Sequence, residues 1–156
     1  MQIRRATPAD APELVRLRAV MLRTFGNAGW NDDWCEPARA TLTEQLSRGD
    51  DATLAAFVAD RPDGTGLAAC VVGTIEQRLG NPGNPNGRVG YVFSVVTETD
   101  HRRRGLSRAG MTALLDWFRE RGVGTVDLRA SADGEPLYQS LGFVRTKDPA
   151  MRLHFR

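Results

Sequence analysis

Apolar residues along this chain change period several times, and each change marks an element. Ile3 and its neighbours suit a short strand. Thr7-Pro8-Ala9-Asp10 follows, with a capping hydroxyl, a first-turn proline and an acid at the positive helix end. A helix is predicted from there to about Arg23, its stripe made by Leu14, Leu17, Val20 and Met21 and its end by Gly26 and Gly29. After a loop through Cys35, Pro37 opens a second helix with Ala38, Leu42 and Leu46 on one side, and Gly49 stops it. Thr53 to Ala59 and Leu67 to about Leu79 are β-type runs joined by the turn Asp63-Gly64-Thr65-Gly66. Residues 80–87, broken by glycines and prolines, form a loop. Tyr91 to Thr97 is too continuously β-branched and aromatic for a half-exposed strand and reads as a central, buried one. Gly105 to Arg121 carries an amphipathic helical face, Val126 to Leu128 a short strand, and Pro136 to Leu141 a short helix. Two final β-type pieces lie at 143–145 and 151–155.

The order βααβββαβαββ predicts an α/β (α+β) fold, a mixed and mostly antiparallel central sheet flanked by about four helices. No repeat, linker or low-complexity tract divides the 156 residues, so residues 1–156 read as a single domain. Hydrophobic residues at 41% and charged residues at 26% are ordinary globular values and exclude a disordered chain. The two cysteines, Cys35 and Cys70, have no metal-type spacing and only His101 and His154 beside them, so no metal site is expected. The first residues lack a signal-peptide core and no apolar run approaches the roughly 18 residues of a membrane span, so a cytoplasmic location without membrane contact is expected.

Net charge is only +2, but it is unevenly spread. Residues 101–156 hold eleven basic and six acidic side chains, whereas residues 51–100 hold three and six. A locally held anion fits this better than a coat of nucleic acid. The informative stretch is the strand through Thr97, the loop Glu98-Thr99-Asp100-His101, and Arg102-Arg103-Arg104-Gly105-Leu106-Ser107 opening the long helix. A helix N-terminus presents unpaired N–H groups, and small residues there let backbone approach a phosphate. The spacings of a Walker loop and of a dinucleotide fingerprint are both absent, and the chain's only lysine is Lys147.

Arg102-Arg103-Arg104-Gly105-Leu106-Ser107 resembles the signature of the GNAT superfamily of N-acetyltransferases, Arg/Gln-x-x-Gly-x-Gly/Ala after a central strand, with Ser107 as the departure. Leu137-Tyr138-Gln139-Ser140-Leu141-Gly142-Phe143 is similar to a second family element, and the order of elements is similar throughout. The resemblance implies an acetyl-CoA-dependent acyltransferase with no metal, moving acetyl to a primary amine of a small molecule or protein by direct attack in a ternary complex. It implies that Arg102, Arg103, Arg104, Gly105, Leu106 and Ser107 hold the pyrophosphate of coenzyme A. Val95, Val96 and Thr97 would pair with its pantetheine arm. Tyr138 would be the general acid, and a phenol with a pKa of about 10 suits a thiolate.

Some family members place a glutamate near the start of the central strand, and the matching position here is Tyr91. Glu76, Glu98 and His101 remain as base candidates, with Glu76 the one nearest in the expected hairpin. Trp30, Trp34 and Tyr91 are the candidate acceptor-binding residues, since tryptophans can stack on a flat or cationic acceptor. A covalent relay through a cysteine is not needed. The alternative is a non-catalytic acyl-CoA-binding sensor of the same fold, and a nucleic-acid-binding module is the weakest reading. The partner expected is an amine acceptor, small molecule or peptide, and a homodimer is left open.

Overall fold

The cap at Thr7 forms, but as a 3-10 turn, Pro8–Asp10, running straight into helix α1, Ala11–Arg23. Thr7 N–H donates to Asp10 Oδ2 at 2.8 Å, and Arg4 donates to both oxygens of Asp10 at 2.8 Å, tying strand β1, Ile3–Arg5, to the start of the helix. The computed structural model describes residues 1–155. Helix α2, Cys35–Leu46, begins two residues before Pro37. The proline therefore sits in the first turn, where its missing N–H has no partner to lose.

Strands β2, Leu54–Asp60, β3, Leu67–Gln77, and β4, Arg88–Thr97, form antiparallel neighbours with β1 in the order β1-β2-β3-β4. Helix α3, Leu106–Glu120, then crosses over to β5, Thr125–Leu128, which lies parallel to β4 at the edge. Helix α4, Glu135–Ser140, completes the regular elements. The mixed, mostly antiparallel sheet with four α-helices is the architecture expected.

Each face of the sheet buries its own core. Leu14 and Leu17 of α1 pack on Val58, Cys70, Val72 and Val96 on one face, and Met111, Leu114, Trp117 and Phe118 of α3 pack on Val71 and Val92 on the other. Alternation along β3 and β4 produces both sets from one run of residues. Gly90 lets α3 lie close: a Cβ there would stand 2.9 Å from the ring of Phe118, itself 1% exposed.

The last two expected strands do not form. Residues 143–155 contain no strand, and the sheet ends at β5. Phe143 N–H closes α4 by donating to Tyr138 O at 3.0 Å, after which the chain leaves the sheet. Val144, Met151, Leu153 and Phe155 are 84%, 87%, 77% and 92% exposed. The β-type alternation is present in the sequence, but its backbone is paired to no strand among the described residues, and a strand is only a strand when its backbone is paired.

Candidate functional site

The site begins where β4 parts from its neighbour. Pairing to β5 runs only from Val89↔Thr125 to Val92↔Leu128, so the backbone from Phe93 to Thr97 has one free edge. On its other side the register to β3 slips: Val72 faces Phe93 and Cys70 faces Val96, so Ser94 and Val95 stand opposite Val71 alone. This is a β-bulge, which bends the strand and re-aims its groups. Ser94 takes φ 53° there. It is held by Arg18, whose Nη1 donates to Ser94 Oγ at 2.6 Å, and by the buried Cys70 thiol, which donates to Ser94 O at 3.3 Å. Burial pushes that thiol up to about 12, so Cys70 acts as a donor and not as a nucleophile.

The segment between β4 and α3 is equally constrained. A 3-10 turn, Thr99–His101, is followed by Arg103 at φ 64° and Gly105 at φ 74°. Among the described residues, Ser94 and Arg103 are the only non-glycines at positive φ, and both border the same cleft. Gly105 has open space where a Cβ would stand, and the first N–H groups of α3 follow it. Ser107 Oγ and Thr97 Oγ1 are hydrogen-bonded at 2.8 Å, joining the helix start to the strand end.

Behind this loop lies a chain of charges. His101 Nδ1 is 2.8 Å from Asp100 Oδ1, Arg61 is 3.1 Å from Asp100 and 3.2 Å from Glu98, and Glu98 also pairs with Arg16. The Arg61 guanidinium, and then His101, hold the Asp100 carboxyl down at about 2. For Glu98, burial pulls upward, but hydrogen bonds from Arg16 and Arg61 outweigh it and leave the carboxyl below its ordinary range. Neither carboxylate is fitted to take a proton near neutrality.

A cleft of about 740 Å³ collects these groups. Val95, Val96, Thr97, Arg102, Arg103, Gly105, Leu106, Ser107 and Tyr138 all line it. Tyr138 is 8% exposed, burial raises its phenol further, and its ring packs against Phe143 at 6.1 Å between centroids. Arg104 stands apart, its guanidinium 3.5 Å from Asp100 O. Glu76 and Tyr91 are not in the lining. Glu76 is exposed at the end of β3, opposite Val89 and paired with Arg78 at 3.0 Å, and Tyr91 is stacked on Phe93 at 6.4 Å. Trp30 and Trp34 are also outside it. They pack edge to face at 5.9 Å, and Arg23 already lies 4.6 Å over the Trp30 ring, filling the position a cationic acceptor would take.

In their place α1 and the residues after it supply Met21, Thr24 and Phe25, the last 72% exposed. The sequence pattern does not single these out, because a helix end followed by Gly26 looks like any other. Gly134 and Asp133 at the start of α4 complete the wall beside Tyr138. Among the described residues no group of three or more His, Cys, Asp or Glu could hold a metal ion, and no helix is long and apolar enough to cross a membrane.

The sequence profile of the acetyltransferase (GNAT) family matches residues 17–143. The chain is 42% identical over 55 residues to the ribosomal protein bS18-alanine N-acetyltransferase of Escherichia coli strain K12, a stretch spanning 33% of this chain and 37% of that relative. Among solved structures, a predicted acetyltransferase from Clostridium acetobutylicum, determined with acetyl-CoA, is similar at a TM-score of 0.84 and 24% identity, over 98% of this chain and 95% of that one. A GCN5-related N-acetyltransferase from Ralstonia eutropha JMP134 is similar at 0.80 and 24%, over 97% of each chain. A ribosomal-protein-alanine N-acetyltransferase from Brucella melitensis biovar Abortus is similar at 0.65 and 24%, over 99% of each. At these identities the structural likenesses speak for the fold.

Proposed function

The chain belongs to the acetyltransferase (GNAT) family, and from that premise we propose that it transfers the acetyl group of acetyl-CoA to a primary amine by direct attack with both substrates bound. One observation carries the reading: the start of α3 and the free edge of β4 open into the same cleft, with Tyr138 in its wall. The donor's chemistry fits these residues. Its diphosphate suits the N–H groups after Gly105, where no side chain intrudes, with Arg102 and Arg103 of the cleft lining supplying positive potential around them. Its amide-bearing arm suits the unpaired backbone at Val95, Val96 and Thr97, which can bond to it as to an added strand.

The neutral amine attacks the thioester carbonyl carbon, the C–N bond forms, and the C–S bond then breaks. A backbone N–H of the free β4 edge stabilises the oxyanion between these two events. Tyr138 gives its proton to the departing sulfur. Burial keeps that phenol protonated at neutral pH, so the proton is there to be given. The amine's surplus proton passes to water on the open acceptor side, and Glu76, paired with Arg78 away from the cleft, is left out of the step.

Met21, Thr24 and Phe25 form the acceptor wall in this reading, in place of the tryptophans. The partial likeness to the bS18-alanine enzyme makes a peptide α-amine the first acceptor to try, with small amines after it. The test is thiol release from acetyl-CoA over a panel of peptides and amines, run with Tyr138→Phe alongside. Turnover in the variant should fall by about 10²-fold or more, the usual share of a general acid, while acetyl-CoA affinity holds. Binding without thiol release for any amine would favour the sensor reading, and unchanged turnover would remove Tyr138 from the mechanism.

A further inference from the structure

Arg18 of α1 reaches across to β4, where its Nη1 donates to Ser94 Oγ at 2.6 Å and its guanidinium lies 5.8 Å from the centre of the Phe93 ring. Neither partner is charged. Among the described residues Arg18 makes no ion pair, whereas Arg16 on the same helix is held between Glu13 and Glu98. Arg18 is half-buried. A guanidinium drawn partly out of water with no anion beside it is a costly arrangement until an anion completes it.

Ser94 is incomplete in the same way. It is 5% exposed, accepts from Arg18 and, among the described residues, donates its own hydroxyl proton to nothing. Its φ of 53° is one that glycine takes freely and serine takes under strain, and the side chain adds only that hydroxyl. Ser94 and Phe93 both line the cleft, beside Val20, Met21 and Phe25. The arginines of the lining are Arg102, Arg103, Arg108 and Arg129, against the single carboxylate of Asp133. Such a cleft repels a polycationic acceptor and draws in an anionic one.

We propose that the acceptor is an amino acid whose carboxylate is bound by Arg18 and the Ser94 hydroxyl. The inference rests on the transferase reading, narrows its primary amines to those with an adjacent carboxylate, and sets them ahead of a peptide α-amine. Among the described residues Nε and Nη2 of Arg18 have no acceptor, and a planar fork of N–H donors matches a carboxylate. Ser94 precedes Val95 by one step of the strand, roughly 3.3 Å. A carboxylate at Ser94 and an amine at the free edge of β4 are therefore only a few bonds apart. Val20, Met21 and Phe25 leave an apolar surface for the acceptor's side chain.

Two matched series test it: L-leucine, L-methionine and L-phenylalanine, and the carboxamide of each. Binding is read first, without turnover, from the shifts of the Phe93 and Ser94 amides in nuclear magnetic resonance titrations. The acids should bind about 10- to 100-fold more tightly than the carboxamides, the scale of hydrogen bonds to a charged group. Arg18→Met should bring that ratio close to one, and Arg18→Lys, which keeps the charge without the fork, should restore part of it. Arg18 also holds the bulge, so Ser94→Ala, which removes only the hydroxyl, gives a second reading and should narrow the ratio. A circular dichroism melt checks that each variant folds. Thiol release from acetyl-CoA with the same compounds should follow the same order in kcat/KM. Acid binding that depends on Arg18 but yields no thiol supports the carboxylate site and fails the transferase reading alone. Equal binding of acids and carboxamides, or a preference unchanged in the folded variants, overturns the proposal. So does the absence of any shift with the acids up to about 10 mM, above the usual range of KM.

Discussion

Glu98 lies where the end of β4 meets α1 and the residue after β2, and its side chain is 15% exposed between Arg16 and Arg61. The sequence places Glu98 and His101 as neighbours of the basic loop and thus as base candidates, with Asp100 between them. Their real partners, Arg16 and Arg61, are far away in the chain, and no local pattern announces them. Those partners reverse the role: the carboxylates are held ionised and brace the loop. With Asp100 at about 2, below its unfolded value of roughly 4, the stabilisation is complete above pH 4. It is lost as pH falls through the folded value. The thermal midpoint should therefore drop between pH 4 and 2. Glu98→Gln should lower stability at pH 7 by about 1.5–3 kcal/mol, as expected for lost charge-assisted hydrogen bonds, and should make the acid decline shallower. Melts from pH 7 to 2 check both, and parallel curves for the two proteins would contradict the bracing role.

At the scale of elements, the long apolar run through Tyr91–Thr97 identifies the central strand, and the glycine-bounded stripe after Gly105 identifies α3. Their packing is set by Gly90, where a Cβ would meet the fully buried Phe118 ring at 2.9 Å. Gly90→Ala should cost about 1–3 kcal/mol by overpacking, seen in urea as a lower midpoint at unchanged slope. An unchanged midpoint would mean that α3 can move aside. The bulge at Ser94 is not legible, because two residues against one is a relation between strands and a single run contains only one of them. The β-type pieces at 143–145 and 151–155 fail for a related reason. Alternation records a capacity to pair, and here neither piece is paired, although the outer edge of β5 is open.

Across the whole molecule, the basic last third of the sequence folds so that Arg102, Arg103 and Arg108 reach one cleft, together with the free edge of β4. The part of the cleft built by the end of β4 and the start of α3 was legible because its motif is contiguous and crosses from strand to helix. The rest of the cleft was not, because its walls come from α1, β4 and the start of α4, and the tryptophans that drew attention lie outside its lining, engaged with Arg23 and each other.

We propose that the start of α3 holds the diphosphate of acetyl-CoA, and calorimetric titration of acetyl-CoA into wild type and Ser107→Asp is the test. An acid in the first turn of α3 favours the helix itself, so the fold is retained while a negative charge occupies the place of the phosphates. One equivalent should bind per wild-type chain, with an affinity at least ~30-fold weaker in the variant, as like-charge juxtaposition demands. No binding to folded wild type, or equal affinity in the two proteins, would contradict it.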